Sequence, residues 1–386
     1  MLRKPSIANK VPERVSFPLD ATTVISVLCT FLFILFASTT YGFAVGEFNV
    51  YPATVIEKMI GAGQAWSAKY AFSGKGWSTH YHRVDECAGA GVVINHEEKA
   101  YGGYTVFSDW ESSAKLINMQ GKILHCWNKP LQEVSPDVPR KPGHSPVWRK
   151  VKVLPSGALF VIYVDNPGRR GGKGPLIKID KDSNLIWKAD LNAHHDLAIG
   201  SEGKLFVLDR RVTTGPNWAW LDKLTILNSS GQVIRKISLL QAFQNSQYSF
   251  YLPENLNGDS LHTNNVELLS PKYADQFAQF KAGDILLSFR NIHAIAVMDS
   301  DTFEIKWAMR GITTGQHDPD FLPDGRVMMF DNRYVPKGQQ EGFRSRIISY
   351  DPGNGRLQVR YAHRDFYTPA CGSQQQLPNG NVLITE

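Results

Sequence analysis

Two stretches of the chain, HDLAIGSEGKLFVLD from His195 and HDPDFLPDGRVMMFD from His317, superimpose residue for residue, and each places a glycine eight residues after its histidine. The second half of this pattern, a tight turn running into an apolar strand, returns in looser form at Gly157, Gly283 and Gly380, and more weakly at Gly103. The six glycines lie 54, 46, 80, 42 and 55 residues apart. Recurrence at such intervals constrains the fold more than any average property of the chain, because each unit has to bury its apolar face against the next.

Between the copies runs a second recurring piece: LIKIDKDSNLIWKA, IAVMDSDTFEIKWAM and IISYDPGNGRLQVRYA. Each reads as a strand ending in Asp180, Asp299 or Asp351, a polar turn, and a strand ending in Trp187, Trp307 or Tyr361. Period-2 alternation, β-branched and aromatic content and Gly/Asn/Asp turns specify antiparallel hairpins. Units of four short strands repeated in this way predict an all-β fold, a six-bladed β-propeller. The interval of 80 fits if KLTILNSSGQVIRKISLL completes one blade and residues 240–261 form a long loop on one face. The chain given stops just after an inner-type strand, so the last blade is either closed by residues 47–100 or the sequence is truncated.

Residues 21–46 carry no charge, and Arg3, Lys4, Lys10 and Arg14 precede them. An apolar run of this length predicts a single transmembrane signal-anchor, with a cleaved signal peptide as the rival that the long polar lead and the weak small-residue cleavage site in ASTTYGFAVG disfavour. The basic lead places residues 1–20 in the cytoplasm as a short tail and residues 47–386, the propeller, on the periplasmic or other extracytoplasmic side. The net charge of +6 is scattered, with none of the clustered basic surface that a nucleic-acid partner requires. Cys29 falls inside the apolar run; of the remaining three cysteines, Cys87 and Cys126 are the nearest pair for a bridge, and the odd count fixes no pattern.

In a propeller the innermost strands of all blades face one axis, so residues at equivalent repeat positions converge there. His195 and His317 are equivalent in this sense. His262 and Asn264 alternate onto one face of another strand, and Arg290 and His293 follow on the next. Imidazoles, an amide and a guanidinium suit the grip of a phosphate- or sulfate-like group, whose oxygens match the guanidinium fork. A neutral imidazole can also attack the central atom.

The ordered set LHTNNV, LLSFRN, MDSDTFEIKWAM, TGQHDPDFLPDGRVMMFDN and SRIISYD resembles the arylsulfate sulfotransferase family, and HHDLAIGSEGKLFVL is similar to its earlier histidine segment. The resemblance implies a six-bladed periplasmic propeller that moves a sulfuryl group from an aryl sulfate ester to a phenolic acceptor through a sulfohistidine. It implies no cofactor and no nucleotide donor. Position by position, it implies His317 as nucleophile, His262, Asn264 and Arg290 around the sulfuryl oxygens, and His195 as the remaining channel histidine beside His194. The His-x-Asn pair is followed here by Asn265, where the family usually has serine, and about a dozen extra residues around SPKYADQFAQF precede Arg290.

Simpler roles compete at several positions. Asp318 either orients an imidazole or closes a turn at a strand start. His293 reads as a hydrogen-bonded structural residue. Trp187 and Trp307 read as packing aromatics. GRRGGKG at 168–174 lacks the order of a phosphate loop and reads as an exposed hairpin. His80 and His82 share a strand face without a third ligand. Two other function classes remain: a metal site built from His195, His262 and His317, against which Arg290 argues as a fixed cation, and a non-catalytic membrane-anchored propeller that binds a ligand on one face.

Overall fold

In a computed structural model of the chain, the described residues are 21–48, 92–108, 112–137, 146–164, 174–214, 218–333 and 344–386. The chain divides into two units, Met1–Glu57 and Lys58–Glu386. Among its described residues the first unit contains a 28-residue helix, Ala21–Phe48, covering the apolar run expected from the sequence. Its side chains are described without interruption only over residues 28–41. Among the described residues no helix is long and apolar enough to cross a membrane.

Among its described residues the second unit contains twenty-one short strands. β1 (Thr105–Ser108), β2 (Ser113–Ile117) and β3 (Ile123–Asn128) form a three-stranded sheet. Four four-stranded antiparallel sheets follow. They are β4 (Val147–Val153) to β7 (Leu185–Ala189), β8 (Ala193–Ile199) to β11 (Val233–Ser238), β12 (Thr263–Leu268) to β15 (Ile305–Arg310), and β16 (His317–Phe321) to β19 (Leu357–Ala362). A hairpin of β20 (Ser373–Gln376) and β21 (Val382–Thr385) ends the series. The first strands pack in sequence, β4 on β8, β8 on β12, β12 on β16 and β16 on β20, and so line a common axis. This is a β-propeller.

Its blade count differs from expectation: five blades are formed among the described residues, not six, because the unit at Gly380 contributes only two strands. The closing strand expected from residues 47–100 falls mostly on 49–91, outside the described residues, and 92–104 hold no strand. Among the described residues, a hydrogen bond from Asn381 Nδ2 to Lys99 O at 2.7 Å ties the last hairpin to this segment. Cys87, His80, His82 and most of the 168–174 loop also lie outside the described residues, and Cys126 is a free, exposed thiol.

Period-2 alternation explains how the blades cohere. In β5 (Leu159–Val164), Leu159, Val161 and Tyr163 enter one apolar cluster with Trp127 and Ala114 of the preceding blade. Phe160 and Ile162, on the opposite face, enter another with Leu197 and Val207 of the following blade. The same arrangement recurs between each consecutive pair. Middle strands are therefore buried on both faces, whereas outer strands such as β11 and β19 are largely exposed. Trp187 packs on Phe160 with ring centroids 5.7 Å apart, and Trp307 on Phe280 at 5.7 Å, as packing aromatics do.

The repeat glycines have a conformational reason. Gly157, Gly203, Gly283, Gly325 and Gly380 all take left-handed φ between 71° and 87° in the turn after a first strand, a region open to glycine at no steric cost. Asp180, Asp299 and Asp351 close their turns by accepting backbone N–H groups, for example Asp182 N at 2.9 Å. Residues 240–261 form the expected long connection, with a short helix at Leu239–Gln244 that buries Leu239 and Phe243.

Candidate active site

Four of the innermost strands, β4, β8, β12 and β16, depart from regular pairing where they meet the axis. Register shifts fall at Trp148/Lys150, Ala193/Leu197, Thr263/Asn265 and His317/Asp320. His195, His262 and Asp318 adopt φ of 55°, 49° and 51° there. Bulges re-aim side chains, and non-glycine residues in left-handed backbone mark strain that packing has to hold in place.

His317 is the best defined. Asn332 donates from Nδ2 to the carbonyls of Thr368 (3.0 Å) and Cys371 (2.7 Å), which fixes its amide orientation. Its Oδ1 therefore faces His317 Nδ1 at 2.7 Å and can only accept. Nδ1 carries the proton, and Nε2 is left with the lone pair. Burial holds this imidazole well below its ordinary 6.5, and the nearby Arg290 guanidinium adds to the effect. The preceding residue, Gln316, anchors the position: it is fully buried, donates to Ser288 Oγ, Phe289 O and Ala294 O, and accepts from Thr313 Oγ1 at 3.1 Å. Asn264 donates to Gln316 O at 2.9 Å, bracing one blade on the next, while its buried Oδ1 has no hydrogen-bond partner among the described residues.

A second group of imidazoles adjoins it. His262 Nδ1 contacts the Asp259 carboxylate, and its ring lies 4.7 Å from that of His195, edge to face. His195 Nδ1 and His194 Nδ1 are 2.9 Å apart, so one donates and the other accepts. His194 Nε2 stands 3.7 Å from Asp222 Oδ1. Burial is the leading cause that holds His194 and His195 well below 6.5; for His262 it outweighs the opposing pull of Asp259. Arg290, 4% exposed, donates its backbone N–H to His262 O at 3.1 Å and Nη1 to Asn291 Oδ1 at 3.0 Å. Its charge acts on both His262 and His317. The structure thus gathers His317, His262, Arg290, His195, His194 and Asn264. His293 is a structural residue, accepting Gly315 N–H at 2.9 Å.

Asp318 belongs to a different layer. It accepts from Asn265 Nδ2 (3.3 Å) and Gln374 N (3.1 Å) rather than from an imidazole. Residues one position beyond the imidazole layer on successive innermost strands form a chain. Lys150 on β4 pairs with Asp196 on β8 at 2.9 Å, Asp196 accepts from Asn265 on β12 at 3.2 Å, and Asn265 and Gln374 on β20 meet at Asp318. Burial opposes the charge on Lys150, but Asp196 prevails and raises its pKa.

Sequence reasoning named Asp318 and Asn265 of this layer but missed Lys150, Asp196 and Gln374, and also Asp259, Asp222 and Asn332. Asp259 stands three residues before His262, a spacing that would have pointed to it. Asn332 is distant in sequence and was visible only through the pairing of β16 with β17 (Val327–Asp331).

Asp222 gives a test of these electrostatics. Burial, followed by the charge of Asp259, raises its carboxyl from 3.8 to about 7. A raised carboxyl contributes stability that is fully present below its unfolded value and lost as pH rises through the folded one. Asp222→Asn, which keeps an acceptor for Thr263 N and Oγ1, is therefore expected to gain in melting temperature relative to wild type between pH 4 and pH 8. A difference independent of pH in paired thermal melts contradicts this.

Among the described residues no group of three or more His, Cys, Asp or Glu is placed to hold a metal ion. Fold and site together define a β-propeller with buried imidazoles on and beside its innermost strands and a guanidinium from the turn after Ile285–Phe289. The family model for arylsulfotransferase (ASST) matches residues 152–386, more than half of the chain, and the chain belongs to that family. No curated protein resembles it closely enough to count as a match. Among solved structures it is similar to a protein of unknown function from Bacteroides caccae (10% identity, 68% of this chain and 78% of that one, TM-score 0.43). It is also similar to the Pan2 WD40 domain of Neurospora crassa (11%, 70% and 65%, TM-score 0.40). A third is a luciferin-regenerating enzyme (10%, 70% and 79%, TM-score 0.41).

Proposed function

We propose that the protein transfers a sulfuryl group from an aryl sulfate ester to a phenolic acceptor through a covalent intermediate on His317, with no nucleotide donor. The observation that carries this reading is the fixed tautomer of a neutral, buried His317 beside Arg290. In the first half-reaction the Nε2 lone pair forms an N–S bond as the aryl O–S bond breaks. The aryl oxide leaves as the anion, its oxygen accepting a hydrogen bond from an N–H of the neutral His195–His262 pair. In the second half-reaction the acceptor phenol gives its proton to an imidazole of that pair, which passes it on to solvent, while the phenol oxygen attacks sulfur and the N–S bond breaks. Arg290 and Asn264 hold the non-bridging oxygens, since this chemistry needs an in-line nucleophile and surrounding donors more than covalent helpers. Mass analysis after mixing with a nitrophenyl sulfate, without acceptor, is expected to show an acid-labile sulfuryl adduct on His317. Release of nitrophenolate with the adduct on another residue, or with none under rapid quench, overturns the mechanism.

The same reading places the protein at a membrane, because residues 21–46 are uncharged and follow four basic residues. The propeller then stands on the extracytoplasmic side. The full chain is expected to stay in the membrane fraction through alkaline carbonate extraction, and recovery in the supernatant excludes the anchor.

A further inference from the structure

Eight residues before their repeat glycines stand His195 and His317; eight residues before Gly157 stands Arg149. Arg149 lies on β4 at that strand's register shift, half-buried, where the other innermost strands present their site residues. Its Nη2 lies 3.8 Å from Cys371 Sγ. Cys371 O accepts from Asn332 Nδ2, and Asn332 Oδ1 faces His317 Nδ1. Three contacts therefore lead from this guanidinium to the imidazole that takes the sulfuryl group. Among the described residues no carboxylate forms an ion pair with Arg149, and a thiol is only a weak acceptor. The charge also reaches the four site imidazoles: after burial, Arg149 is among the causes that hold His194, His195, His262 and His317 low.

We propose that Arg149 is a second anion-binding guanidinium of this site, gripping the sulfuryl oxygens of the aryl sulfate from a different blade than Arg290. The inference rests on the transfer reading above and adds a residue to it. One guanidinium fork covers two oxygens of a tetrahedral group, and a second reaches the third. The three non-bridging oxygens keep their shared negative charge throughout the transfer. A residue that holds them contributes mainly to binding and orientation of the donor, so its loss raises KM more than it lowers kcat.

The test uses the full chain with Arg149→Gln and Arg149→Lys, each checked by thermal melting. With a nitrophenyl sulfate as donor, Arg149→Gln is expected to raise KM on the order of tenfold or more, with a smaller change in kcat; Arg149→Lys, which keeps the charge but loses the fork, falls between. Calorimetric titration with inorganic sulfate is expected to show the same order of affinities. Unchanged KM and sulfate affinity in folded Arg149→Gln overturn the proposal, as does a fall in kcat alone, which assigns Arg149 to support of Asn332 through Cys371. If wild type fails to turn over the ester yet binds sulfate through Arg149, the transfer reading falls and the anion site stands.

Discussion

Replacing His317 with asparagine is expected to lower turnover of an aryl sulfate by about 10⁴-fold or more, the scale of loss when a covalent nucleophile is removed. Asparagine keeps a polar group of similar reach at the position, and a donor for Asn332 Oδ1, so the buried contact is retained and the fold is expected to survive. What disappears is the lone pair that forms the N–S bond. Acceptor addition should then fail to restore release of the nitrophenolate, because neither half-reaction has a carrier. The acid limb offers a second readout of the same group. Burial and Arg290 hold His317 well below 6.5, so the imidazole stays unprotonated as pH falls through 6.5 and kcat/KM is expected to hold down to a lower pH. Equal rates for wild type and His317→Asn would remove the nucleophile from the argument altogether.

The repeat was legible because each of its parts answers a local demand. The glycines needed left-handed turns, the aspartates closed turns, and alternation fed two apolar clusters at once. The site was partly legible for the same reason: equivalent positions on innermost strands converge, so His195 and His317 could be paired from spacing alone. Arg149 obeys that spacing too, and was missed because its blade was recognised only by the turn that follows it. The blade count went astray at the end of the chain, where the Gly380 unit supplies a hairpin rather than a full sheet. Asn332 and Asp222 left no local signature, since their partners are set by strand pairing and by neighbouring blades. Asp318 shows the limit of motif proximity: adjacency to His317 in sequence turns it, through alternation and a left-handed φ, towards Asn265 and Gln374 instead.

Asp196→Ala is expected to cost about 3 kcal/mol of stability, out of proportion to a single small side chain. Asp196, 4% exposed, compensates Lys150 and accepts from Asn265 Nδ2 and the backbone N–H of Val266 (3.1 Å). Its removal leaves two buried donors unsatisfied and a lysine without its partner. Lys150 keeps about a third of its side chain in contact with solvent, so the lower end of the range for a broken buried pair applies. Asp196→Asn retains an acceptor for both amide donors and should lose about 1 kcal/mol. Lys150→Met combined with Asp196→Ala should be less destabilised than the two single changes added, because the stranded charge is gone. Urea denaturation of the four proteins gives the coupling directly. Strict additivity would mean that the layer from Lys150 to Gln374 merely fills the axis, and that the imidazoles above it are positioned by their bulged strands alone.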